Sequence, residues 1–596
     1  MLPLSDRSTA YNSASKLDAL QTLRVAVHPR KPSRLAKKSS NAVSSFNSFN
    51  LRLQLCRAAA IASLRFLWAR PDRTDTTNSV LNNMKKMNRL LSFALCVAPL
   101  AALAAGSPNP GSWQFEVIVK QGLDSVAKDG RLFVVLARTN SPEPRFTLGR
   151  TGLDAPQVLA RDLSDFAPGA VAIVAASAFA FPITNLAGVP AGDYFVQALF
   201  DSSADLRLRD APGNLFNKPL KIHLDPAQGG NWKLELTEQI PAEQLPAETA
   251  QIKFVKIQSK LLTEFYGRPI FLRAGIVLPR DYERDPSRRY PLWVRIGGLN
   301  SRYTSVQSLM GPKSELRKIW QADDTPHLIL LQLDGAGPYG DPYYVNSANN
   351  GPFGDALVQE LIPHVEARFR AIGQPRGRVL SGSSTGGWVS LALQVFYPDF
   401  FNGTWSSCPD PVDFRALELV NIYQDDNAYV NKYGNERPSD RDPQDDVRLT
   451  TRHEVGVENL LGRGNSYTLS GEQWGEWNAA FGPRGADGLP VPLWDPQTGK
   501  INHAVAEQWK KYDLRLVLEQ NWPTLGPKLR GKIHIAAGEA DGYFLNNAVH
   551  LLDAFLAKAN PPFGGKIVYG MGKGHGWFDL SPRQMLDEMQ AATTAK

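Results

Sequence analysis

The sequence predicts two architectures in series: an all-β domain, then an α/β domain built on a mostly parallel sheet and carrying a large insertion. Three observations predict this. Between Trp113 and about Leu236, short strand-like runs follow one another with turn residues between them and no long helical period. Beyond about residue 254, short apolar strands alternate with helix-like segments, as in a parallel sheet covered on both faces. After Cys408 that alternation stops for about 120 residues of Trp-, Gly-, Asp- and Pro-rich sequence, too long for a structureless loop.

At 596 residues the chain has room for two or three folded units. Its net charge of +8 suggests an acidic partner until the charges are located. Residues 1–83 hold 13 Lys and Arg against 4 Asp and Glu, whereas the chain from Ala105 onward holds 50 against 54. The folded part is slightly acidic, so no nucleic-acid partner is expected. From Met84 the chain passes through Lys85, Lys86 and Arg89 into an apolar run from Leu90 to Leu103. It ends in Ala102-Leu103-Ala104, completing the three parts of a secretory signal peptide. An apolar run of about 14 residues falls short of the roughly 20 that span a bilayer, so no stable membrane anchor is expected. Translation is therefore expected to start at Met84 or Met87, with 1–83 outside the mature protein, 84–104 a signal peptide, and the product periplasmic or secreted. Loss of Cys56 and Cys96 with the leader leaves Cys408 as the only thiol, which excludes an intrachain disulfide framework.

The all-β domain is expected over 105–240, with strands at Trp113–Val119, Arg131–Ala137, Tyr194–Phe200, Leu220–Leu224 and Trp232–Leu236. Pro-Ala-Gly-Asp at 190–193 is a tight turn feeding the third of these, which fits antiparallel neighbours and an immunoglobulin-like sandwich. Residues 241–253 read as a linker, and 254–596 as the α/β domain with its insertion at about 409–530. Strands are expected at Ile270–Leu278, Leu292–Ile296, Leu328–Leu333, Arg378–Ser381, Lys532–Ala537 and around Lys566–Tyr569. Helices are expected at Asp355–Arg370, Gly387–Tyr397 and Phe544–Lys558.

Gly382-Ser383-Ser384-Thr385-Gly386 fits G-x-S-x-G between a strand and a helix, the turn that forces a serine hydroxyl out of a sheet. Small residues are needed two positions either side because a Cβ there would meet the neighbouring strand and helix. A serine hydroxyl needs a base within hydrogen-bond reach, and on this fold the acid and then the base follow it in the chain. His575 sits in a Gly-rich loop after the last strand, and Asp541 in Gly538-Glu539-Ala540-Asp541-Gly542 at a strand's carboxyl end. Glu539 has the same chemistry, and Asp541 is the choice between them. A tetrahedral intermediate needs two backbone donors. One is Thr385 N–H and the other Gly298 or Leu299, where Gly297-Gly298-Leu299 follows a strand.

The sequence also resembles the bacterial putative esterase family, the esterase D and enterochelin-esterase-like group. The resemblance rests on Asn350-Gly351-Pro352, on Ala356-Leu357 with Glu360 to Glu366, and on Ser381 to Trp388. Tyr397-Pro398-Asp399-Phe400-Phe401 and Pro409 to Phe414 complete it. It implies an α/β-hydrolase fold and a serine esterase with Ser384 as nucleophile, Asp541 as acid and His575 as base, acting on a small-molecule or polysaccharide ester. Ser383 stands where such esterases commonly have His. Other readings remain open: an acyltransferase using the same triad, or a non-catalytic polysaccharide- or partner-binding protein.

Trp474 and Trp477 in the insertion, with Trp388 beside the nucleophile, are candidates to line a substrate pocket, or else to form a local core. The acidic stretch from Asp425 to Asp446 lacks calcium-loop spacing and is interleaved with arginines, so no metal is expected. No dinucleotide or phosphate-loop signature occurs, and no cofactor is expected.

Overall fold

The computed structural model describes residues 112–594, apart from 124, 125 and 153. The expected leader and signal peptide lie outside the described residues. Among the described residues, no helix is long and apolar enough to cross a membrane.

Residues 113–239 are all β. One sheet runs in the order Val171–Val174, Trp113–Val119, Gly230–Leu236. The other runs Glu238–Gln239, Leu215–Phe216, Gly192–Asp201, Lys128–Ala137, Gln157–Phe166, Phe179–Phe181, with Leu220–Leu224 also paired to Gly192–Asp201. Trp113–Val119 shows why these residues make a strand. Trp113, Phe115, Val117 and Val119 are buried while the residues between them are partly exposed, the period of two of a sheet with one wet face. Lys128–Ala137 departs from that rule, being buried at its last eight positions. Leu132, Val134 and Leu136 enter the core between the sheets. Phe133 and Val135 point the other way and pack with Val457, Leu460 and Leu461 of a helix that arrives from far along the chain.

The second architecture is an eight-stranded sheet: β1 Ile252–Ser259, β2 Ile270–Val277, β3 Leu292–Ile296, β4 Ile329–Leu333, β5 Arg378–Ser384, β6 Thr404–Pro409, β7 Ile533–Gly538 and β8 Lys566–Gly570. Their order is β1-β2-β4-β3-β5-β6-β7-β8. β1 and β2 pair antiparallel, as do β2 and β4, and the other neighbours are parallel. β3 reads as an unbroken apolar run because both faces are covered. Leu292, Val294 and Ile296 face one core, and Trp293 faces another with Trp320, Val379 and Trp405.

The linker boundary and one buried strand depart from expectation. The linker ends at Gln251, because β1 begins at Ile252, where Lys253 and Lys256 break the apolar pattern. β6 was not expected at all. Its Thr-Trp-Ser-Ser-Cys-Pro is half polar yet buried at every position. Ser406 Oγ donates to Gly387 O (2.9 Å) and Ser407 Oγ to Trp577 O (2.9 Å), so hydroxyls that look like surface chemistry are satisfied inside.

Helix α1, Thr385–Phe396, follows β5 directly and is buried over nearly its whole length. Between β6 and β7 lie α2, Thr451–Leu461, and α3, Gln473–Phe481. Trp474 packs edge-on to Trp477 (4.9 Å between centroids) and against Trp494 (5.1 Å), so this stretch has an aromatic core continuous with that of the sheet. α2 carries Val457, Leu460 and Leu461, the residues that cover the β domain. Buried Arg131 fastens the contact: its Nε donates to Leu460 O at the end of α2 (2.8 Å), Nη2 to Asn465 Oδ1 (2.8 Å) and Nη1 to Asp162 (2.7 Å).

Candidate active site

Ser384, Asp541 and His575 lie at or just past the carboxyl ends of β5, β7 and β8, the edge at which such sheets place their ligands. Ser384 ends β5 and precedes α1 with φ 59° and ψ −126°, a conformation that costs a non-glycine residue about 1–3 kcal/mol. The glycines on either side make the turn possible. A Cβ at Gly382 would collide with the backbone of Gly386, and one at Gly386 with the carbonyls of Ile296 and Gly297. That second contact seats the first turn of α1 on the end of β3. It brings the half-buried Gly298 and Leu299 to the same edge as Thr385, whose N–H opens a twelve-residue helix. Ser301 N donates to Gly298 O (3.0 Å), closing the loop after β3.

The loops after β7 and β8 are bound to each other. Glu539 N donates to Gly570 O (3.0 Å) and Ala540 N to Lys573 O (2.8 Å). That zipper sets His575 beside Asp541, with Nδ1 2.9 Å from Asp541 Oδ2. The other carboxylate oxygen accepts from Tyr543 N (2.9 Å), and the group is 1% exposed. The Tyr543 ring meets the imidazole edge-on at 4.9 Å. Glu539 is occupied elsewhere, by Asn546 Nδ2 (3.3 Å) and His550 Nε2 (3.2 Å). Of the two acids the sequence offered, Asp541 is the one on the histidine. Burial alone would lower the His575 pKa; the Asp541 charge and hydrogen bond, with Asp410 and Asp440 behind them, outweigh it and hold the imidazole above its ordinary value.

Asp410 is the residue that sequence reasoning missed. It stands just past β6, 2% exposed, with its N–H donating to Ser384 O (3.2 Å). Its Oδ2 accepts from Tyr343 Oη (2.5 Å), Trp477 Nε1 (3.0 Å), Thr385 Oγ1 (3.2 Å) and Gln473 Nε2 (3.3 Å). Oδ1 faces the Ser384 hydroxyl at 3.5 Å. Burial pushes Asp410 above the usual carboxylate range, against the pull of those donors and of the His575 charge. A carboxylate held there favours an imidazolium at His575. A single Asp after a strand that was not itself recognised carries no chemical signature; only its place in Pro409 to Phe414 marked it.

Of the two readings open for the tryptophans, pocket lining or local core, their burial favours the core. Trp388, Trp474 and Trp477 are 0–2% exposed, and Trp388 is wedged against Phe481 (4.8 Å) and Tyr343 (5.6 Å). Their area goes into the core, and Trp477 reaches the site through its N–H on Asp410. Cys408 lies near both Asp541 and His575, and the ligand atoms of the three fall within 4.8 Å of one another. Burial pushes the Cys408 thiol up to about 11, leaving it protonated, and the imidazole nitrogen is spent on Asp541, so this is a poor donor set for a metal.

Residues 272–560 match the family model described as putative esterase. Over those residues, just under half of the chain, the sequence resembles the putative esterase family, and the protein is a carboxylic ester hydrolase. Solved structures similar to it include a ferulic acid esterase (14% identity, 58% of this chain and 99% of that one, TM-score 0.33). Others are an S-formylglutathione hydrolase from Agrobacterium tumefaciens (13%, 58% and 96%, 0.32) and the fluorophosphonate-binding serine hydrolase F of Staphylococcus aureus (12%, 57% and 98%, 0.34). No curated protein sequence matches the chain. The esterase fold is legible in its own strand order and parallel pairings.

Proposed function

We propose that the protein is an exported serine esterase that cleaves carboxylic esters through an acyl-enzyme formed on Ser384. The observation that carries the reading is the pairing of a strained serine elbow with a buried Asp541–His575 couple on the loops two and three strands along. Ser384 Oγ attacks the ester carbonyl while His575 Nε2 takes its proton. Asp541 holds Nδ1–H so that the free nitrogen faces the serine, and it balances the imidazolium that forms. The oxyanion is received by Thr385 N–H and by Gly298 or Leu299 N–H. Collapse of the intermediate expels the alcohol, which leaves with the proton from His575. Water then attacks the acyl-enzyme with His575 again as base, and Ser384 is restored. In this reading residues 105–240 are an immunoglobulin-like sandwich and about 409–530 a cap, and the sandwich serves to brace α2 of the cap through Arg131.

Hydrolysis of p-nitrophenyl acetate by the purified protein tests the proposal. The Ser384→Ala variant is expected to lose at least about 10³-fold in kcat, and a fluorophosphonate probe to label Ser384 in the parent alone. Equal turnover by parent and variant overturns it.

A further inference from the structure

The loop after β3, which carries Gly298 and Leu299, is fastened by partners from distant parts of the chain. Asn300 turns it with a φ of 61°, in the left-handed region, and Ser301 O accepts from Gly335 N (2.7 Å). Arg302 then ends the loop on two carboxylates at once. Its Nε donates to Asp334 Oδ1 (2.6 Å), just past β4, and its Nη2 to Glu243 Oε1 (2.6 Å), in the segment between the two architectures. Asp334 Oδ1 also accepts from Tyr303 N (3.3 Å), so one carboxylate, 4% exposed, holds both side chain and backbone where the loop ends. The second oxygen of Glu243 lies 2.9 Å from Arg273 Nε, on β2.

Glu243 is anchored from its own side. Just upstream, Ile240 donates to Asn214 O (2.9 Å) and accepts from Gly213 N (2.9 Å), which keeps the chain against the β domain. Downstream, Glu248 Oε1 accepts from Phe254 N (3.1 Å) as the chain enters β1. Arginine and carboxylate therefore alternate along Arg273, Glu243, Arg302 and Asp334, with the Glu243 and Arg302 side chains each 21% exposed. In so sheltered an array the charge-assisted bonds fix geometry, and loss of one member leaves its partner desolvated and unpaired.

Resting on the Ser384 esterase reading, we propose that Glu243 and Arg302 are positioning residues for the oxyanion. With Asp334 they fix the loop whose Gly298 or Leu299 N–H receives it, and they make the segment leaving the β domain part of the catalytic apparatus. Charge develops on the ester oxygen only as Ser384 Oγ bonds to carbon, so the donor must already stand in place at that moment. Between donor and clamp there is only the short turn through Asn300 and Ser301, which Ser301 N closes on Gly298 O (3.0 Å). Slack at Arg302 is therefore passed to the donor.

Glu243→Gln in the full protein tests this, because the amide oxygen can accept from one arginine while its NH2 group opposes the other. For p-nitrophenyl acetate, kcat is expected to fall by about tenfold or more with KM changed by less than about twofold, approaching the roughly 10²-fold cost of deleting an oxyanion donor. Inhibition by 1,1,1-trifluoroacetone reads the same contact. Ser384 Oγ adds to its carbonyl carbon, the π pair becomes an oxyanion and the serine proton passes to His575, so its Ki should rise by about the factor by which kcat falls. Arg302→Lys keeps the charge but not the fork and should behave alike, and the double variant should lose no more than about twofold beyond it. Glu243→Asp, with the charge kept and the reach shortened, replaces Glu243→Gln if thermal unfolding shows that variant unfolded. A kcat within about twofold of the parent, or a loss confined to KM or to melting temperature with Ki unmoved, reveals a clasp between domains and overturns the positioning role while Ser384 stands. No hydrolysis by the parent, together with no fluorophosphonate labelling of Ser384, overturns both.

Discussion

Replacing Asp541 with Asn separates an orienting acid from a merely adjacent one. Asp541 Oδ1 accepts from Tyr543 N and Oδ2 faces His575 Nδ1. In Asp541→Asn the amide oxygen must turn to the Tyr543 N–H, because an NH2 group there would oppose another donor. The amide nitrogen then points at Nδ1 as a donor and forces the imidazole proton onto Nε2. That is the tautomer that cannot accept the Ser384 proton. Loss of the base in this way is worth about 10⁴-fold in kcat, or about 5.4 kcal/mol at 1.36 kcal/mol per decade. Glu539→Gln, whose parent carboxylate engages Asn546 and His550, should change kcat by less than about threefold. The assay is steady-state hydrolysis of p-nitrophenyl acetate by both variants. An Asp541→Asn enzyme within about tenfold of the parent, or a Glu539→Gln enzyme equally crippled, would refute the assignment.

Three further outcomes are expected. His575 must be neutral to act as base and its pKa is raised, so kcat/KM should climb with pH through a midpoint above about 6.5. Asp440→Asn removes one of the charges that hold the imidazolium and should move that midpoint to lower pH; a pH profile in which it moves upward contradicts the electrostatics. Arg131→Met leaves Leu460 O and Asn465 Oδ1 without their donor, while half-exposed Asp162 returns to water. The expected loss is about 2–4 kcal/mol, read as a shift of the urea midpoint, and a loss under about 1 kcal/mol rejects the role given to this arginine.

The elements that the chain announced are those whose local pattern agrees with their surroundings. Leu292–Ile296 and Leu220–Leu224 appear with the expected bounds, being short apolar or alternating runs closed by turn residues. Gln157–Phe166 went unrecognised because Gln157, Arg161, Asp162, Ser164 and Asp165 make half of it polar, although its first four residues are buried. β6 went unrecognised for the opposite reason, polar side chains satisfied in a buried setting. Without β6, the acid at its end had no address. The G-x-S-x-G turn and the Gly-rich histidine loop were legible because glycine spacing encodes a steric demand that is local in the chain.

By itself the sequence determined what covalent neighbours and short-range sterics dictate: the serine turn, the alternation of strand and helix, the loops that hold Asp541 and His575, and the chain order in which they appear. Tertiary structure decided what depends on groups far apart in the chain. It chose Asp541 over Glu539, because the choice lies in where the β8 loop folds back onto the β7 loop. It buried Trp388, Trp474 and Trp477 in the core, and brought Asp410 under four donors drawn from three separate segments. Electrostatic environment and burial are properties of assembled surfaces, and no window along the chain contains them.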